Sequence, residues 1–244
     1  QFAKDVLRRV VDLPEGGSKR VALIPTASSI PKEVTEDYQA AFGKLGIERV
    51  DVLDIQKRSE AEDREHAQSV RDCDVVYFTG GDQLRLTSLV GGTRLEEAIR
   101  SHYWNGGVVA GTSAGAAAMS ATMIMQGEPS QGMRKGSVSM SPGFALLPKC
   151  VLDTHFLDRG RLSRLLEVVT TNPGHIGIGV GEDTGIIVRD GGELEVIGSG
   201  VVVIVDGSDL RHTNVSDIQR GEAIAAEHLI VHTLPAGYRY SMEE

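Results

Sequence analysis

Cysteine, proline and long apolar runs are all scarce in this chain of 244 residues, and each scarcity excludes a class of protein. The two cysteines, Cys73 and Cys150, cannot form a disulfide framework and do not have the spacing of metal ligands, so we expect two reduced thiols in the core. With eight prolines and no repeats, the chain contains no proline-rich linker. No apolar run approaches the roughly 18–20 residues of a membrane span, and residues 1–5 contain no apolar signal segment. We therefore expect a cytoplasmic protein without a membrane partner.

Positive charge is in the minority. The 25 Lys and Arg residues are outnumbered by 34 Asp and Glu residues, which gives a formal net charge of −9. Because the cations are also dispersed, we expect no nucleic-acid partner, and cationic or zwitterionic partners fit better. A content of 41% hydrophobic and 24% charged residues is typical of an ordinary globular protein. A chain of this length buries roughly 70–75% of its unfolded surface and needs no covalent staples.

Short apolar runs alternate with longer amphipathic stretches through the first two-thirds of the chain. This alternation predicts strand–helix units around a mostly parallel sheet, and the glycine-punctuated runs after about residue 176 predict antiparallel strands at its edge. The predicted class is a three-layer α/β sandwich, in a single domain over residues 1–244. The polar segment 127–142, rich in glycine and serine, is predicted to be a mobile active-site loop. The predicted strands are 20–24, 49–53, 75–79, 108–110, 149–152, 176–180, 185–188, 194–197, 201–205 and 228–234, and the predicted helices are 31–46, 60–73, 83–102, 114–122 and 158–171.

A serine lies at the tip of a predicted strand–turn–helix. The apolar run 107–110 leads into Gly111-Thr112-Ser113-Ala114-Gly115, and a stretch of small residues follows. Glycines two positions on either side of Ser113 let the strand and the helix pass each other without a Cβ clash. Such a turn exposes the serine hydroxyl, and the helix behind it directs free N–H groups towards the atom that the hydroxyl attacks. The pattern predicts a nucleophile and hence a hydrolase.

Partners for this serine are expected at the carboxyl ends of the other strands, where functional loops of a parallel sheet gather. Gly80 and Gly81 follow one strand and can turn their N–H groups outward. This pair would supply half of an oxyanion hole, and the N–H of Ala114 would supply the other half. A phosphate-binding loop or a plain strand–helix turn is the alternative for this Gly-Gly pair.

A general base is predicted at another strand end, within Asp153-Thr154-His155-Phe156. Of the seven histidines, His155 is the preferred base, and His175, in a Pro-Gly turn, is its one serious rival.

The preference for His155 depends on the arginines that follow it. Three cations at the beginning of a helix are unfavourable by about 0.3–1 kcal/mol each, so a bound carboxylate is expected to compensate them. Arg161 and Arg164 would share a helix face and clamp an anionic group, unless the arginines only pair with nearby acids. The three arginines are Arg159, Arg161 and Arg164, and the acids are Asp153, Asp158 and Glu167.

The third member of a triad is sought among carboxylates. Glu182, between two apolar runs, is the preferred residue to orient the histidine, and Glu128 in the polar segment is the second candidate. Asp183 is expected to cap its turn through an Asx hydrogen bond. The order Ser, His, Glu differs from that of the α/β-hydrolases, so that fold is not predicted. No metal-binding or cofactor motif is present, so a serine mechanism without metal or cofactor is expected.

Four motifs together resemble those of the cyanophycinases, which are serine peptidases related to aspartyl dipeptidase (peptidase E). The similarity extends over essentially the whole chain. The motifs are Phe78-Thr79-Gly80-Gly81-Asp82-Gln83, Gly111-Thr112-Ser113-Ala114-Gly115-Ala116, Asp153-Thr154-His155-Phe156 with Arg159, Arg161 and Arg164, and Gly181-Glu182-Asp183-Thr184.

The resemblance implies a fold like that of the class I glutamine amidotransferases and a homodimer. It also implies cyanophycin as the substrate, a polyaspartate that carries arginine on each β-carboxyl and is cut to β-Asp-Arg dipeptides. It gives the roles of nucleophile, base and acid to Ser113, His155 and Glu182, and an oxyanion hole to Gly81 and Ala114. The residues expected at the substrate are Gln83, Asp153, Thr154, Arg159, Arg161 and Arg164.

Two departures from the family pattern stand out. Thr154 occupies a position where cyanophycinases usually have glutamine. The family also begins with a strand and a Gly-Gly turn that nothing here matches, so we expect either that a strand precedes Gln1 or that the chain has diverged. Two alternatives stay open: an aspartyl dipeptidase with the same chemistry, and a non-catalytic amidotransferase-like binding protein. A non-catalytic binding protein would be expected to have a degraded serine turn or to lack the histidine. This sequence retains both the intact turn and His155.

Overall fold

The computed structural model describes residues 2–16, 19–127 and 132–242. The chain divides into two compact units. The N-terminal unit comprises Leu7–Met119 and Pro142–Leu146, and the C-terminal unit comprises Gln1–Val6, Ser120–Ser141 and Leu147–Glu244.

The N-terminal unit is built on a four-stranded parallel sheet. Its strands are β1 (Arg20–Ile24), β2 (Arg49–Val52), β3 (Val75–Phe78) and β4 (Val108–Gly111). They lie in the order β2-β1-β3-β4 across the sheet. Its central strands β1 and β3 are almost wholly buried and apolar, as expected for a sheet covered on both faces. Phe42 of the second helix packs with Leu23 and Tyr77 in one buried cluster. The helices in this half of the sequence are α1 (Phe2–Val11), α2 (Pro31–Lys44), α3 (Arg64–Arg71), α4 (Gln83–Val90), α5 (Arg94–Trp104) and α6 (Ala114–Ala117), with a 3₁₀ turn at Arg58–Glu62.

Several predicted helix boundaries in this unit are wrong. The predicted helix 83–102 is two helices, because Gly92 has a φ of +69° and Thr93 then caps α5 by accepting from the Glu96 N–H. The predicted helix 60–73 breaks at Asp63, whose carboxylate caps α3. The predicted helix 114–122 ends at Ala117, and the Ala118 carbonyl next to it accepts a hydrogen bond from the Phe144 N–H at 2.7 Å.

The strands of the C-terminal unit are β5 (Thr122–Gly127), β6 (Val138–Pro142), β7 (Cys150–Thr154), β8 (Ile176–Val180), β9 (Thr184–Val188), β10 (Glu193–Gly198), β11 (Val201–Asp206), β12 (His212–Thr213), β13 (Ala226–Glu227), β14 (Ile230–Pro235) and β15 (Arg239–Ser241). One four-stranded sheet has the order β14-β11-β8-β7, in which β7 and β8 are parallel and the other pairs antiparallel. A three-stranded antiparallel sheet, β15-β10-β9, and the two-stranded pairs β5-β6 and β12-β13 complete the strands of this unit. Helix α7 (Leu162–Thr171) packs Leu165, Val168 and Val169 into an apolar cluster with Phe156.

The predicted mixed α/β class, with a parallel sheet early and antiparallel strands late, is confirmed. Two details are corrected. The segment 127–142 is not a loop throughout, because its last five residues form β6. The predicted helix 158–171 begins only at Leu162, after a turn in which Gly160 has a φ of +60°.

Both cysteines are buried free thiols, as predicted. Burial raises the pKa of Cys73 to about 12 and that of Cys150 to about 11, so neither is a thiolate at neutral pH. In the part of the chain that the structure describes, no helix is both long and apolar enough to cross a membrane.

Candidate active site

Ser113 lies between β4 and α6 in a conformation that few residues adopt. Its φ of 49° and ψ of −114° fall outside the favoured regions for a side chain with a Cβ. The turn is so tight that a Cβ added at Gly115 would stand 2.6 Å from the Cβ and the carbonyl oxygen of Phe78. One added at Gly111 would stand 2.6 Å from the Gly115 carbonyl carbon. The two glycines flanking Ser113 therefore have the steric role that the sequence predicts.

The Gly80-Gly81 loop contacts the serine turn within the same unit. A Cβ at Gly80 would lie 3.3 Å from the Cβ of Ser113. Gly81 has a φ of +140°, and a Cβ there would overlap the Ala27 carbonyl oxygen at 2.0 Å. The next residue, Asp82, donates its N–H to that same oxygen at 2.8 Å. Only glycine fits this position, so the Gly81 backbone is fixed against the loop that follows β1.

Two helix beginnings lie at this edge of the parallel sheet. Ala114 is the first residue of α6, and the first N–H groups of a helix have no acceptor within it. Asp82 caps α4 by accepting from the N–H groups of Leu84 and Arg85 at 2.8 and 3.0 Å. Gln83, expected at the substrate, is the half-buried first residue of α4.

His155 and Glu182 are joined in the C-terminal unit by a hydrogen bond between the histidine Nδ1 and the glutamate Oε1. The parallel register of β7 and β8 explains this contact. Thr154 pairs with Val180, so His155 is one residue and Glu182 two residues past neighbouring strand ends. The ring of Phe156 covers Gly179, where any Cβ would come within 2.4 Å of it. The buried Phe156 thus anchors the turn in which His155 adopts a φ of 52°.

The rival histidine lies elsewhere. His175 immediately precedes β8 and donates its N–H to the Asn172 carbonyl at 3.0 Å. It is therefore at the opposite end of β8 from Glu182, and the five-residue strand between them is about 16 Å long. Within the C-terminal unit, His155 is the histidine that Glu182 contacts.

Asp153, Arg161 and Arg164 form a largely buried ionic cluster beside His155. Arg164 donates to Asp153 through Nε at 2.6 Å and through Nη2. Arg161 Nη1 donates to the Thr154 carbonyl at 2.6 Å and lies 3.3 Å from Asp153 Oδ1. The side chains of Asp153 and Arg164 are 3% and 9% exposed. The cluster joins α7 to the end of the strand that carries the histidine.

Of the acids considered as partners for the arginines, only Asp153 has that role among the described residues. Glu167 instead accepts from the N–H and the hydroxyl of Ser137, and from the Val138 N–H at 3.3 Å. Asp158 is exposed and forms no ion pair in the described part of the chain.

The cluster retains positive charge, since one carboxylate faces the buried guanidinium group of Arg164 and the half-buried one of Arg161. Burial, together with the Arg164 cation, lowers the pKa of Arg161. Arg159 is exposed and adds a third positive charge nearby. Of the three arginines predicted at the beginning of this helix, Arg164 lies in the first turn of α7, whereas Arg159 and Arg161 precede its first residue. An anion bound beside Arg161 would stabilise this arrangement.

The turn that carries Glu182 is stabilised by Thr184. The Thr184 hydroxyl donates to the Glu182 carbonyl at 2.8 Å and accepts from the Gly200 N–H at 3.0 Å. The expected Asx hydrogen bond of Asp183 does not occur among the described residues; Asp183 has a φ of 49°, and its carbonyl accepts from the Ser199 N–H. The alternative acid, Glu128, lies outside the described residues.

Sequence reasoning missed a polar link beside the glycine loop. Arg85 donates through Nε to the Thr26 carbonyl at 2.9 Å and through Nη2 to Gln56 Oε1 at 2.5 Å. It thereby connects the loops that follow β1 and β2 to α4. A single arginine in an unremarkable helix gave no signal of this role. Within the residues described, no group of three or more His, Cys, Asp or Glu side chains is arranged to hold a metal ion.

Comparison with known proteins agrees with the fold. Residues 2–197 match the model of Peptidase family S51. A cyanophycinase of Geminocystis herdmanii is 36% identical over 239 residues, which are 98% of this chain and 88% of that protein. One of Trichormus variabilis is 35% identical over 240 residues, 98% of this chain and 80% of that protein.

Two solved structures share the fold. The crystal structure of a peptidase from an acI-B1 Actinobacterium superposes with a TM-score of 0.74 at 22% identity and covers 99% of this chain and 91% of its own. That of a putative peptidase E protein from Listeria monocytogenes EGD-e has a TM-score of 0.55 at 23% identity and covers 81% of this chain and 94% of its own. At these identities the likeness concerns the fold.

Proposed function

Because the chain belongs to peptidase family S51, and is therefore a serine-type peptidase that acts on a peptide substrate, we propose that it hydrolyses cyanophycin to β-Asp-Arg dipeptides. The observation that carries this proposal is the identity of 34–36% to several proteins named cyanophycinase over 91–98% of the chain. The charged cluster beside His155 suits such a substrate. Each repeat of cyanophycin carries a guanidinium group and, since arginine is joined through its α-amine, a free α-carboxylate.

In the proposed mechanism Ser113 is the nucleophile. Its hydroxyl oxygen bonds to the carbonyl carbon of an aspartyl peptide bond while His155 accepts the hydroxyl proton. The tetrahedral intermediate collapses when His155 gives that proton to the leaving amine, and an acyl-enzyme remains. A water molecule, deprotonated by His155, then attacks the acyl carbon, and the acid product leaves as His155 returns the proton to the Ser113 oxygen. The strained backbone of Ser113 supports the first role, since such strain clusters at sites of chemistry.

The other roles follow from the chemistry of each group. Glu182 holds the proton on Nδ1 of His155, so that Nε2 is free to act as the base, and it stabilises the imidazolium. The N–H groups of Gly81 and Ala114 stabilise the oxyanion. Arg161, with Arg159 and Arg164, attracts a substrate carboxylate. Asp153 keeps Arg164 in position, while Gln83 and Thr154 contact the substrate.

A substrate panel tests the proposed function. Purified protein is offered cyanophycin, β-Asp-Arg and an α-aspartyl dipeptide, and the products are identified by mass spectrometry. The proposal predicts that cyanophycin is converted to β-Asp-Arg and that β-Asp-Arg itself accumulates. Cleavage of the α-aspartyl dipeptide alone would instead identify an aspartyl dipeptidase, and cleavage of none of the three would favour a non-catalytic binding protein.

Three further expectations accompany this proposal. We propose that residues 1–244 act as one peptidase domain, that the protein is a homodimer and that it is cytoplasmic. Sedimentation velocity and fractionation of the source cells test the last two.

A further inference from the structure

A second cationic site lies in the C-terminal unit, apart from the cluster around Asp153. Arg134, Lys135 and Arg220 line an open surface pocket of about 400 Å³, whose remaining walls are Gly136, Ser137 and Gly221. Three cations around one pocket are unexpected in a protein with a net charge of −9. Lys135 and Arg220 have no carboxylate within ion-pair distance in the described part of the chain.

The pocket has a fixed framework. The segment that carries Arg134 and Lys135 pairs with the opposite wall: the Lys135 N–H donates to the Glu222 carbonyl at 3.0 Å, and the Gly221 N–H donates to the Lys135 carbonyl at 2.9 Å. Lys135 Nζ donates to the carbonyls of Val215 and Ile218 at 2.7 and 2.8 Å. The ammonium group is therefore held in place by neutral acceptors, and its charge is not cancelled.

Arg220 is the cation best suited to bind a ligand. Its side chain lies against Gly136, where an added Cβ would come within 3.1 Å of the arginine Cγ and 3.2 Å of Nε. Gly136 has a φ of +76°, and its missing side chain leaves room for the guanidinium stem. Arg220 is exposed and faces solvent with donors that fit a carboxylate in a bidentate manner.

The pocket is connected to the Asp153 cluster through α7. Glu167 of this helix binds Ser137, a wall of the pocket, and lies three residues after Arg164. Arg161, which immediately precedes the helix, and Glu167 are six residues apart, which corresponds to a rise of about 9 Å along the helix axis. An extended chain advances about 3.3–3.6 Å per residue, so about three aspartyl repeats span this distance.

We propose that this pocket is an exosite that binds α-carboxylates of cyanophycin repeats about three or more units away from the repeat held at Arg161. The inference rests on the proposed function. It assigns the pocket to polymeric rather than dipeptide substrates, because one repeat advances only about 3.3–3.6 Å of the roughly 9 Å along α7. Binding at several points along a polymer raises the effective concentration of substrate at the catalytic groups.

The experiment compares Arg220→Gln with Arg239→Gln, which removes the same charge from an exposed arginine of β15. Lys135 is left intact because it supports the framework. For Arg220→Gln the inference predicts a KM for cyanophycin raised about two- to fivefold, the effect of one exposed ion pair, with unchanged kcat. The KM for a two-repeat oligomer should stay within experimental error, as should both values for Arg239→Gln. An unchanged KM for the polymer, or an equal rise for the oligomer, would overturn the inference.

Binding is measured separately, so that failure of the exosite can be told from failure of the proposed function. In a Ser113→Ala background the polymer is not consumed, and co-sedimentation with cyanophycin granules gives the affinity with and without Arg220→Gln. A two- to fivefold weaker binding supports the exosite even if the wild-type protein does not hydrolyse cyanophycin. Equal binding by both proteins contradicts it even if hydrolysis is observed.

Discussion

Glu182 and His155 are hydrogen-bonded through Oε1 and Nδ1 at the ends of two parallel neighbouring strands. If this contact orients the base, Glu182→Gln removes the charge that stabilises the imidazolium and favours the wrong tautomer. We expect kcat to fall by about 10²–10⁴-fold with little change in thermal stability. Steady-state hydrolysis of cyanophycin measures the effect.

Asp183→Asn is the matched control, because it makes the same change of charge in the same turn, and asparagine tolerates the positive φ of this position. We expect it to retain activity. A larger loss from Glu128→Gln than from Glu182→Gln would move the acid role to Glu128.

Gly115 makes the tight passage beside Ser113 possible. Gly115→Ala places a Cβ 2.6 Å from Phe78 and 2.8 Å from the Thr79 carbonyl oxygen, in a region where backbone rather than flexible side chains must yield. We expect a loss of about 1–3 kcal/mol in unfolding free energy and a distorted serine turn. Gly43→Ala, in α2, is the control. A Cβ there meets nothing within 4 Å, so this change should stabilise the protein by about 0.5–1 kcal/mol. Equal thermal midpoints for the two variants would show that the turn has more room than described.

Asp153 neutralises a buried arginine. Asp153→Asn leaves Arg164, 9% exposed, without its anionic partner, and we expect a loss of about 3–5 kcal/mol in unfolding free energy. Asp158→Asn removes the same charge from an exposed position five residues later and should alter stability by less than about 0.5 kcal/mol. Denaturant titration of both variants measures the difference. A cost for Asp153→Asn as small as that for Asp158→Asn would mean that water replaces the carboxylate.

His102 makes stability depend on pH. Burial lowers the pKa of this histidine, whose Nε2 lies 3.3 Å from the Val108 carbonyl oxygen. As the pH falls below about 6.5, the unfolded chain takes up a proton at this position before the folded protein does, so the unfolding free energy decreases. We expect a thermal midpoint that is lower at pH 5.5 than at pH 7.5, and a smaller difference in His102→Gln. The exposed His212→Gln should keep the wild-type difference; a steeper pH dependence in His102→Gln would contradict this.

The serine turn and the His155–Glu182 contact were accessible to sequence reasoning for different reasons. The turn can be predicted from Gly111 and Gly115, because only residues without a Cβ fit at these positions of a tight strand–helix turn. The contact could be anticipated because carboxyl ends of parallel strands share an edge, although the sequence alone left His175 and Glu128 open. The register of β7 against β8 separates His175 from Glu182.

Other features depend on contacts that no local pattern reveals. Glu167 looks like a partner for Arg164 along the helix, yet it binds Ser137 from a distant part of the sequence. The helix predicted over 114–122 ends early because residue 144 returns to bind Ala118. Small residues and helix propensity do not indicate that a backbone carbonyl will accept its hydrogen bond from a distant segment of the chain. The pocket around Arg220 likewise unites residues about 85 positions apart.

Ser113→Ala is the sharpest test of Ser113 as the nucleophile. The same substitution at Ser101, an exposed residue of α5, is the control. Both variants and the wild type are incubated with cyanophycin, and the release of β-Asp-Arg is quantified by mass spectrometry. We expect release by the wild type and by Ser101→Ala, and a rate lower by roughly 10⁴-fold or more for a folded Ser113→Ala. A near wild-type rate for Ser113→Ala would contradict the assignment of Ser113 as the nucleophile.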